Sequence, residues 1–467
     1  MRREQRERRG GVIAAALLLA GCGDARMGVA PPRPPAIDAA VVTPTEYNVL
    51  SAVVSVRVRR ADSVAVRFHP ADEPSAADSM TPPMPALVDA ATVPVLGLLP
   101  DRSYVVRPVA YGAGGTTVGD ALAITTGSLP ADLPSYVAGG ADPSPGYVVF
   151  AAGLYGVVID NTGRVVWYHA FPQGPGLNFQ AQPNGRYAAR PPGTPGVWVE
   201  LDVLGNQTRT LGCARGLPAR FHDLLAARDG SYWIMCDDTR TMDLTGVGGV
   251  AGAQVTGTVV QHVSASNELL FEWNPFDHFD ITDLPLADRT GASVNWTHGN
   301  ALDLDSDGHL VVSFRSLSEV TKIDTRTGAV VWRMGGLRNQ LTFVEQPSPA
   351  FARQHGLRVV GPAELSLLDN MGDAAGSHAE RYVVDDVQRT ARLVASYGSD
   401  PAVIARLGGT TQPLPGDRTL VSFGNGDRVE EYDGQGQVVW RIDGDPGYVF
   451  RAQRIRSLYR PGAGDPR

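Results

Sequence analysis

The sequence predicts an all-β chain, a six-bladed β-propeller preceded by a smaller β-sandwich domain. Three observations carry that reading. With 53 glycines and 35 prolines in 467 residues, and little helical periodicity, the chain favours short strands joined by tight turns. From Pro145 onward a hairpin recurs. Its clear copies are IDNTGRVVWYH (159–169), IDTRTGAVVWRM (323–334) and EYDGQGQVVWRID (431–443). Weaker copies are LDVLGNQTRTLG (201–212), HVSASNELLFEW (262–273) and VVDDVQRTARLVASY (383–397). Between them lies a second hairpin: QPNGRYAAR, ARDGSYWIMCDD, DSDGHLVVSF, VVGPAELSLLDN and PLPGDRTLVSF. Four strands per unit, repeated every ~40 to ~60 residues, is the pattern of sheets set radially around an axis. Closing the ring removes free sheet edges.

Taken in order, residues 1–21 read as a signal peptide. Arg2, Arg3, Arg6, Arg8 and Arg9 form a positive start, and Val12–Ala20 is an apolar core too short to span a bilayer. Leu19-Ala20-Gly21-Cys22 looks like a bacterial lipobox. Cleavage before Cys22 would leave a lipidated N-terminal cysteine; the alternative is an ordinary secretory signal. Either way the chain is exported, and a lipid anchor would make it a periplasmic or cell-surface lipoprotein held at a bacterial membrane. Residues 22–36 are a Pro-rich, extended tether.

Residues 37–128 form the first β domain, with strand-like runs SAVVSVRVRR, SVAVRFHP, SYVVRPVAYG and ALAITTG. A tyrosine after the Leu-Pro-Asp corner and a Thr-Thr-Gly exit resemble a fibronectin type III or immunoglobulin-like sandwich. No cluster there suggests catalysis. Its expected roles are spacing, docking or dimerisation, which leaves a homodimer open. Residues 129–144 are a linker and 145–460 the propeller. The net charge of −8, with no basic tract, excludes nucleic acid as a partner. Cys213 and Cys236 flank His222. In an oxidising compartment they could pair and brace that loop; two buried thiols are the other reading.

Residues at one phase of different blades meet near a propeller's axis. Taking the Gly or Pro turn of the second hairpin as the phase marker, the inner-strand entries carry Phe221-His222-Asp223, then Trp296-Thr297-His298-Gly299-Asn300, then Arg353-Gln354-His355-Gly356, then Gly409-Thr410-Thr411-Gln412. Three of nine histidines share this phase, which favours a site over isolated structural hydrogen bonding. Asn300 lies two residues after His298, so on a strand both face one way. Arg315 ends the strand after the Asp-Gly turn and returns near His298. There it is either a fork of donors for a tetrahedral oxyanion or a partner in an ion pair with Glu319 or Asp305. Asp303, Asp305 and Asp307 with Gly308 look like the start of a calcium loop. The final acidic ligand is missing, and the run reads as turn chemistry.

The order His298-Gly-Asn300, Ser313-Phe-Arg315, the Asp324–Trp332 hairpin and Gln354-His355, with the ending GTTQPLPGDRTLVSFGNGDRVEEYDGQGQVVWRI, resembles the bacterial arylsulfate sulfotransferases. The resemblance covers about residues 145–460 and the preceding β domain. It implies a six-bladed propeller that moves a sulfuryl group from an aryl sulfate to a phenolic acceptor, with ping-pong kinetics and no nucleotide sulfate donor. It implies that His355 is the nucleophile that becomes sulfated, that His298, Asn300 and Arg315 hold the sulfuryl oxygens, and that His222 is a further active-site histidine. A protonated His298 or His222 would donate to the leaving phenolate. No metal or organic cofactor is expected. Tyr155, Tyr168 and Trp198 are the aromatic candidates for the donor ring.

Two other readings use the same residues. A zinc site of His222, His298 and His355 with a catalytic water leaves Asn300 and Arg315 without a role. A non-enzymatic reading takes IDTRTGAVVW as the tryptophan-docking repeat of quinoprotein-like propellers, which serve as scaffolds of the cell envelope.

Overall fold

The computed structural model describes residues 32–462, apart from residues 76, 194–195 and 345–349. The leader and the lipidation candidate Cys22 lie outside the described residues. Residues 36–125 form two facing sheets. One has three strands, Ala36–Pro44, Ser51–Arg59 and Ala90–Leu96; the other is built on Ser63–Pro70 and Ser103–Gly112. Alternation drives the packing: in Ser51–Arg59, Ala52, Val54, Val56 and Val58 are buried while Ser55, Arg57 and Arg59 are exposed. The Tyr104 hydroxyl accepts from the Leu99 amide at 2.8 Å, fixing the corner.

Six sheets of four or five strands follow. From inner to outer edge, the first consists of Gln453–Ile455, Tyr147–Ala152, Tyr155–Ile159 and Val165–Ala170. The inner strands of the next five are Phe179–Ala181, Ala219–Ala226, Gly299–Leu304, His355–Gly361 and Thr410–Leu414. Every recurring outer hairpin named from the sequence forms the third and fourth strands of one blade. Sequence repetition could not supply two pieces. The first blade takes its inner strand from the C terminus, and the last takes its outermost strand, Val137–Gly139, from before the propeller proper. The ring is thus closed at both edges by exchanged strands.

Four tryptophans, three of them at the repeat ends, fasten neighbouring blades. The indole N–H of Trp167 donates to the Val203 carbonyl, Trp198 to Arg220, Trp332 to the Asp386 carboxylate and Trp440 to Asn161. These rings are buried, so each adds a large apolar area and a directed hydrogen bond across a seam. The one lysine, Lys322, is buried beside three carboxylates, with Nζ at 2.7 Å from Asp305, 2.7 Å from Asp307 and 2.9 Å from Asp386. An ammonium therefore sits within the acidic turn, whose carboxylates also cap the Ser306 and His309 amides.

Around the axis, inner strands of adjacent blades do not pair as a sheet, and side chains bridge them instead. Gln453 Oε1 accepts from the Ala181 amide, Gln180 donates to the Leu224 carbonyl, and Asp223 accepts from Leu302. Asp303 accepts from Val359, Ser366 on the second strand of its blade meets Thr411 at 2.6 Å, and Gln412 accepts from Arg454. Asp223 also binds two buried arginines, Arg358 at 2.9 Å and Arg451 at 3.1 Å. Arg451 continues to Asn178, whose amide donates to the His222 carbonyl at 2.7 Å.

Cys213 and Cys236 are joined in a disulfide with Cα atoms 6.2 Å apart, tying the exit of the second blade to the second strand of the third. The bridge closes a loop that contains His222.

Two stability predictions follow from these ties. Asp223→Ala leaves two buried guanidinium groups without their carboxylate, and urea denaturation is expected to show a loss of about 3–5 kcal/mol. Replacing both bridged cysteines by serine should cost about 3 kcal/mol, from the loop entropy returned to the unfolded chain. That loss should match the effect of reductant on the wild type, and reductant should cause no further loss in the variant.

Candidate active site

Each predicted histidine enters the axis where an inner strand begins or bulges. His222 lies in Ala219–Ala226, where the pairing register with the second strand shifts between Ala219 and Leu224. His298 immediately precedes Gly299–Leu304, and His355 opens His355–Gly361. The glycines that follow the last two histidines are required by close approach. A Cβ on Gly299 would fall 2.6 Å from the Thr258 side chain, and one on Gly356 2.5 Å from the Thr410 backbone. His298 has φ 49° and Arg353 φ 56°, left-handed values that non-glycine residues rarely adopt and that concentrate at functional sites.

The three rings come together. His298 Nε2 and His222 Nε2 are 3.1 Å apart, and Phe450 lies between His222 and His355, with ring centroids at 5.9 and 6.2 Å. The contact between His222 and His298 needs one proton, because one ring must donate and the other accept. A second proton would set two N–H groups against each other. Burial, together with Arg220 nearby, accordingly pulls His298 down to about 2 and holds His222 well below its ordinary value. His355 is buried, and its Nδ1 lies 2.8 Å from Asn370 Oδ1. Burial lowers its pKa to about 4 although the Asn370 bond works the other way; Arg315 adds to the lowering. All three rings are neutral near pH 7. The expectation that His298 or His222 is already protonated is therefore corrected: two rings facing through Nε2, out of water and among arginines, do not hold a second proton.

Arg315 is half-buried. Its backbone amide donates to the His298 carbonyl at 3.0 Å, the hairpin return read from the sequence. Its Nε is buried without a partner, and Nη2 reaches only the Arg406 carbonyl at 3.4 Å. The carboxylates that offered an ion pair are taken, Glu319 by Arg333 and Asp305 by Lys322. Neighbouring arginines are neutralised as well: Arg220 by Asp237 and Arg353 by Asp288. Among the described residues Arg315 makes no ion pair. A partly desolvated, unneutralised guanidinium beside three neutral imidazoles is a site arranged for an anion.

Asn300 requires a correction in its reasoning. The strand bulges between Gly299 and Ala301, and His298 stands outside the strand. Two-residue alternation therefore does not set the two side chains on one face. Asn300 is fully buried, its Nδ2 donates to the Gln354 carbonyl at 2.7 Å, and Oδ1 is left without a partner. Gln354 in turn donates to Ser313 Oγ and the Glu319 carbonyl, both at 2.9 Å. Asn300, Ser313 and Gln354 thus form the joint that carries His355 from one blade to the next.

The aromatic candidates move too. The Tyr155 hydroxyl donates to Asp132, Tyr168 accepts from the Val49 amide, and Trp198 is fully buried in a seam. The aromatic rings near the histidines are Phe221, stacked on His222 at 4.0 Å, with Phe450 and the half-exposed Tyr448. Asn370 was also missed. It stands seven residues after the left-handed turn residue Ala363, as Arg315 stands seven after Gly308. The phase argument, applied to the second strand as well as the first, would have found it. No three His, Cys, Asp or Glu side chains among the described residues are grouped to hold a metal ion.

A family model described as arylsulfotransferase (ASST) matches residues 219–445, a span that holds all three histidines, Asn300, Arg315 and Asn370. No curated protein matches the chain. Solved structures similar to it include a protein of unknown function from Bacteroides caccae, at 13% identity over 67% of this chain and 100% of that one, TM-score 0.44. A virginiamycin B lyase from Staphylococcus aureus is 9% identical over 68% and 89%, TM-score 0.38. A gluconolactonase from Xanthomonas campestris is 15% identical over 67% and 98%, TM-score 0.36. Likeness at these scores carries no argument about chemistry.

The neutral state of His355 has a measurable consequence. An unfolded histidine titrates near 6.5, the folded one near 4. Between those values the unfolded chain binds a proton that the folded chain does not. The stability this contributes is complete above pH 6.5 and is lost as pH falls toward 4. The Tm of the wild type should therefore drop relative to that of His355→Gln across this window. Parallel Tm curves would contradict the assignment.

Proposed function

We propose that the chain, whose residues 219–445 match the arylsulfotransferase family model, transfers a sulfuryl group from an aryl sulfate to a phenol through a sulfated His355. The observation that carries this reading is the neutral, buried His355 near Arg315, a guanidinium that makes no ion pair among the described residues. In the first half-reaction the lone pair of His355 Nε2 attacks sulfur. An N–S bond forms and the S–O bond to the ring breaks, its electron pair leaving with the phenolate. Arg315 stabilises the sulfuryl oxygens as charge spreads over them. Asn300, with one N–H committed to Gln354, keeps the second for a sulfuryl oxygen. The phenolate departs past the hydrogen-bonded pair of His298 and His222, which keeps its single shared proton through this half-reaction. In the second half-reaction an acceptor phenol gives its proton to the same pair as its oxygen attacks sulfur and the N–S bond breaks. Phe221, Phe450 and Tyr448 supply the apolar surface for the rings.

The scaffold reading accounts for the docked tryptophans but leaves Arg315 without a purpose. The exported, lipid-anchored setting is part of the proposal and rests on the leader and Cys22.

Mixing the protein with a chromogenic aryl sulfate, without acceptor, should release one equivalent of phenolate. It should also add the mass of one sulfuryl group to the peptide containing His355. His355→Ala should lose both, with turnover reduced by at least about 100-fold. Arg315→Lys, which keeps the charge but loses the fork, should lower kcat more than it raises KM. Full turnover by His355→Ala would refute the mechanism.

A further inference from the structure

Beyond the reacting groups, the geometry points to Asn370 as a positioning residue that fixes the tautomer of His355 and keeps its sulfated form reactive; this rests on the reading of His355 as the nucleophile. An asparagine amide can present oxygen or nitrogen to a neighbour, and here the choice is forced. Asn370 is fully buried, and its Nδ2 lies 2.6 Å from the Ala405 carbonyl and 2.9 Å from the Gly408 carbonyl. Carbonyls only accept, so Nδ2 occupies that side and Oδ1 faces His355 Nδ1 at 2.8 Å. An oxygen that only accepts requires a proton on Nδ1. The neutral ring then has its lone pair on Nε2, the nitrogen that must attack sulfur.

The surrounding chain holds this arrangement firmly. The Ser377 hydroxyl donates to the Asn370 carbonyl and accepts from the Ala405 amide, both at 2.8 Å. The Ser377 amide donates to the Val403 carbonyl at 2.8 Å. The same connecting segment supplies the Arg406 carbonyl that receives Arg315 Nη2. One loop, Val403 to Gly408, thus orients the nucleophile through Asn370 and touches the anion-binding arginine directly.

That the partner is an amide rather than a carboxylate also has a chemical consequence. Once Nε2 carries the sulfuryl group and Nδ1 keeps its proton, the ring is cationic. An amide oxygen stabilises that cation far less than a carboxylate would. The ring therefore leaves readily as a neutral imidazole when the phenol attacks. A carboxylate at position 370 would favour forming the sulfated ring and slow its breakdown.

The test begins with the resting wild type, labelled with 15N in its histidines and without substrate. Long-range 1H–15N spectra should show His355 protonated at Nδ1 and unprotonated at Nε2. The opposite tautomer overturns the inference whether or not the protein transfers sulfuryl groups. Loss of the sulfated intermediate in a protein with the expected tautomer would instead overturn the reading of His355 as nucleophile. Asn370→Asp should then move the acid limb of the half-reaction above pH 4 and slow phenol-dependent breakdown of the sulfated protein by ~10-fold or more, so that the intermediate accumulates. Ser377→Ala, which leaves Asn370 in place, should mix the two tautomers and lower kcat with little change in KM. An Asn370→Asp protein with an unmoved pH profile and unchanged breakdown would refute the positioning role.

Discussion

The structure depends on one constraint of ring geometry. Inner strands of neighbouring blades belong to separate sheets and do not pair with one another, so their backbone groups need partners from side chains. Glutamine, asparagine, aspartate and threonine at the strand entries meet that need, from Gln453 with Ala181 round to Gln412 with Arg454. Asp223 is the centre of the arrangement. It accepts from a backbone amide of the next blade and binds Arg358 and Arg451 from two others. Removing a carboxylate so enclosed leaves its cations buried, and the resulting strain falls on the strands that carry the histidines.

The site is built directly on these seams. His222 precedes Asp223 in the chain, and His355 follows Gln354, whose carbonyl receives Asn300. Reactive side chains thus sit within two residues of groups that hold blades together. Such placement fixes the rings without mobile loops between them, which is how a rigid scaffold keeps a transferring group in line with its nucleophile. It also means that joint residues and reacting residues occupy one short motif. In the proposed function His298, Arg315 and His355, with the free N–H of Asn300, meet the sulfuryl group, while Ser313 and Gln354 hold the strands that bring them there.

The electrostatics run against stability. A half-buried guanidinium with no ion pair among the described residues and three imidazoles held neutral by burial are arrangements a purely structural core would avoid. Three other arginines are ion-paired: Arg220 with Asp237, Arg353 with Asp288 and Arg333 with Glu319. Against that background the exception at Arg315 is informative. An incoming sulfuryl anion would supply the missing negative charge and raise the proton affinity of the histidine pair beside it.

Much of this was legible in the sequence because repetition is a local property. Each outer hairpin announces itself by a strand, a polar turn and a tryptophan, and each inner strand by the polar residue that starts it. Six units, three histidines in phase and the return of Arg315 towards His298 could therefore be read without coordinates. Other features depend on atoms that only folding brings together. The strands exchanged at both ends close the ring across more than 300 residues of chain. The bulge at Asn300 breaks the alternation that a straight strand would impose. The tautomer of His355 is set by carbonyls of a loop in the following connection. Sequence determined which side chains stand at the axis, because strand period and repeat phase are fixed along the chain. Tertiary structure decided their charge and proton positions, because burial and hydrogen-bond partners are properties of neighbours distant in the chain.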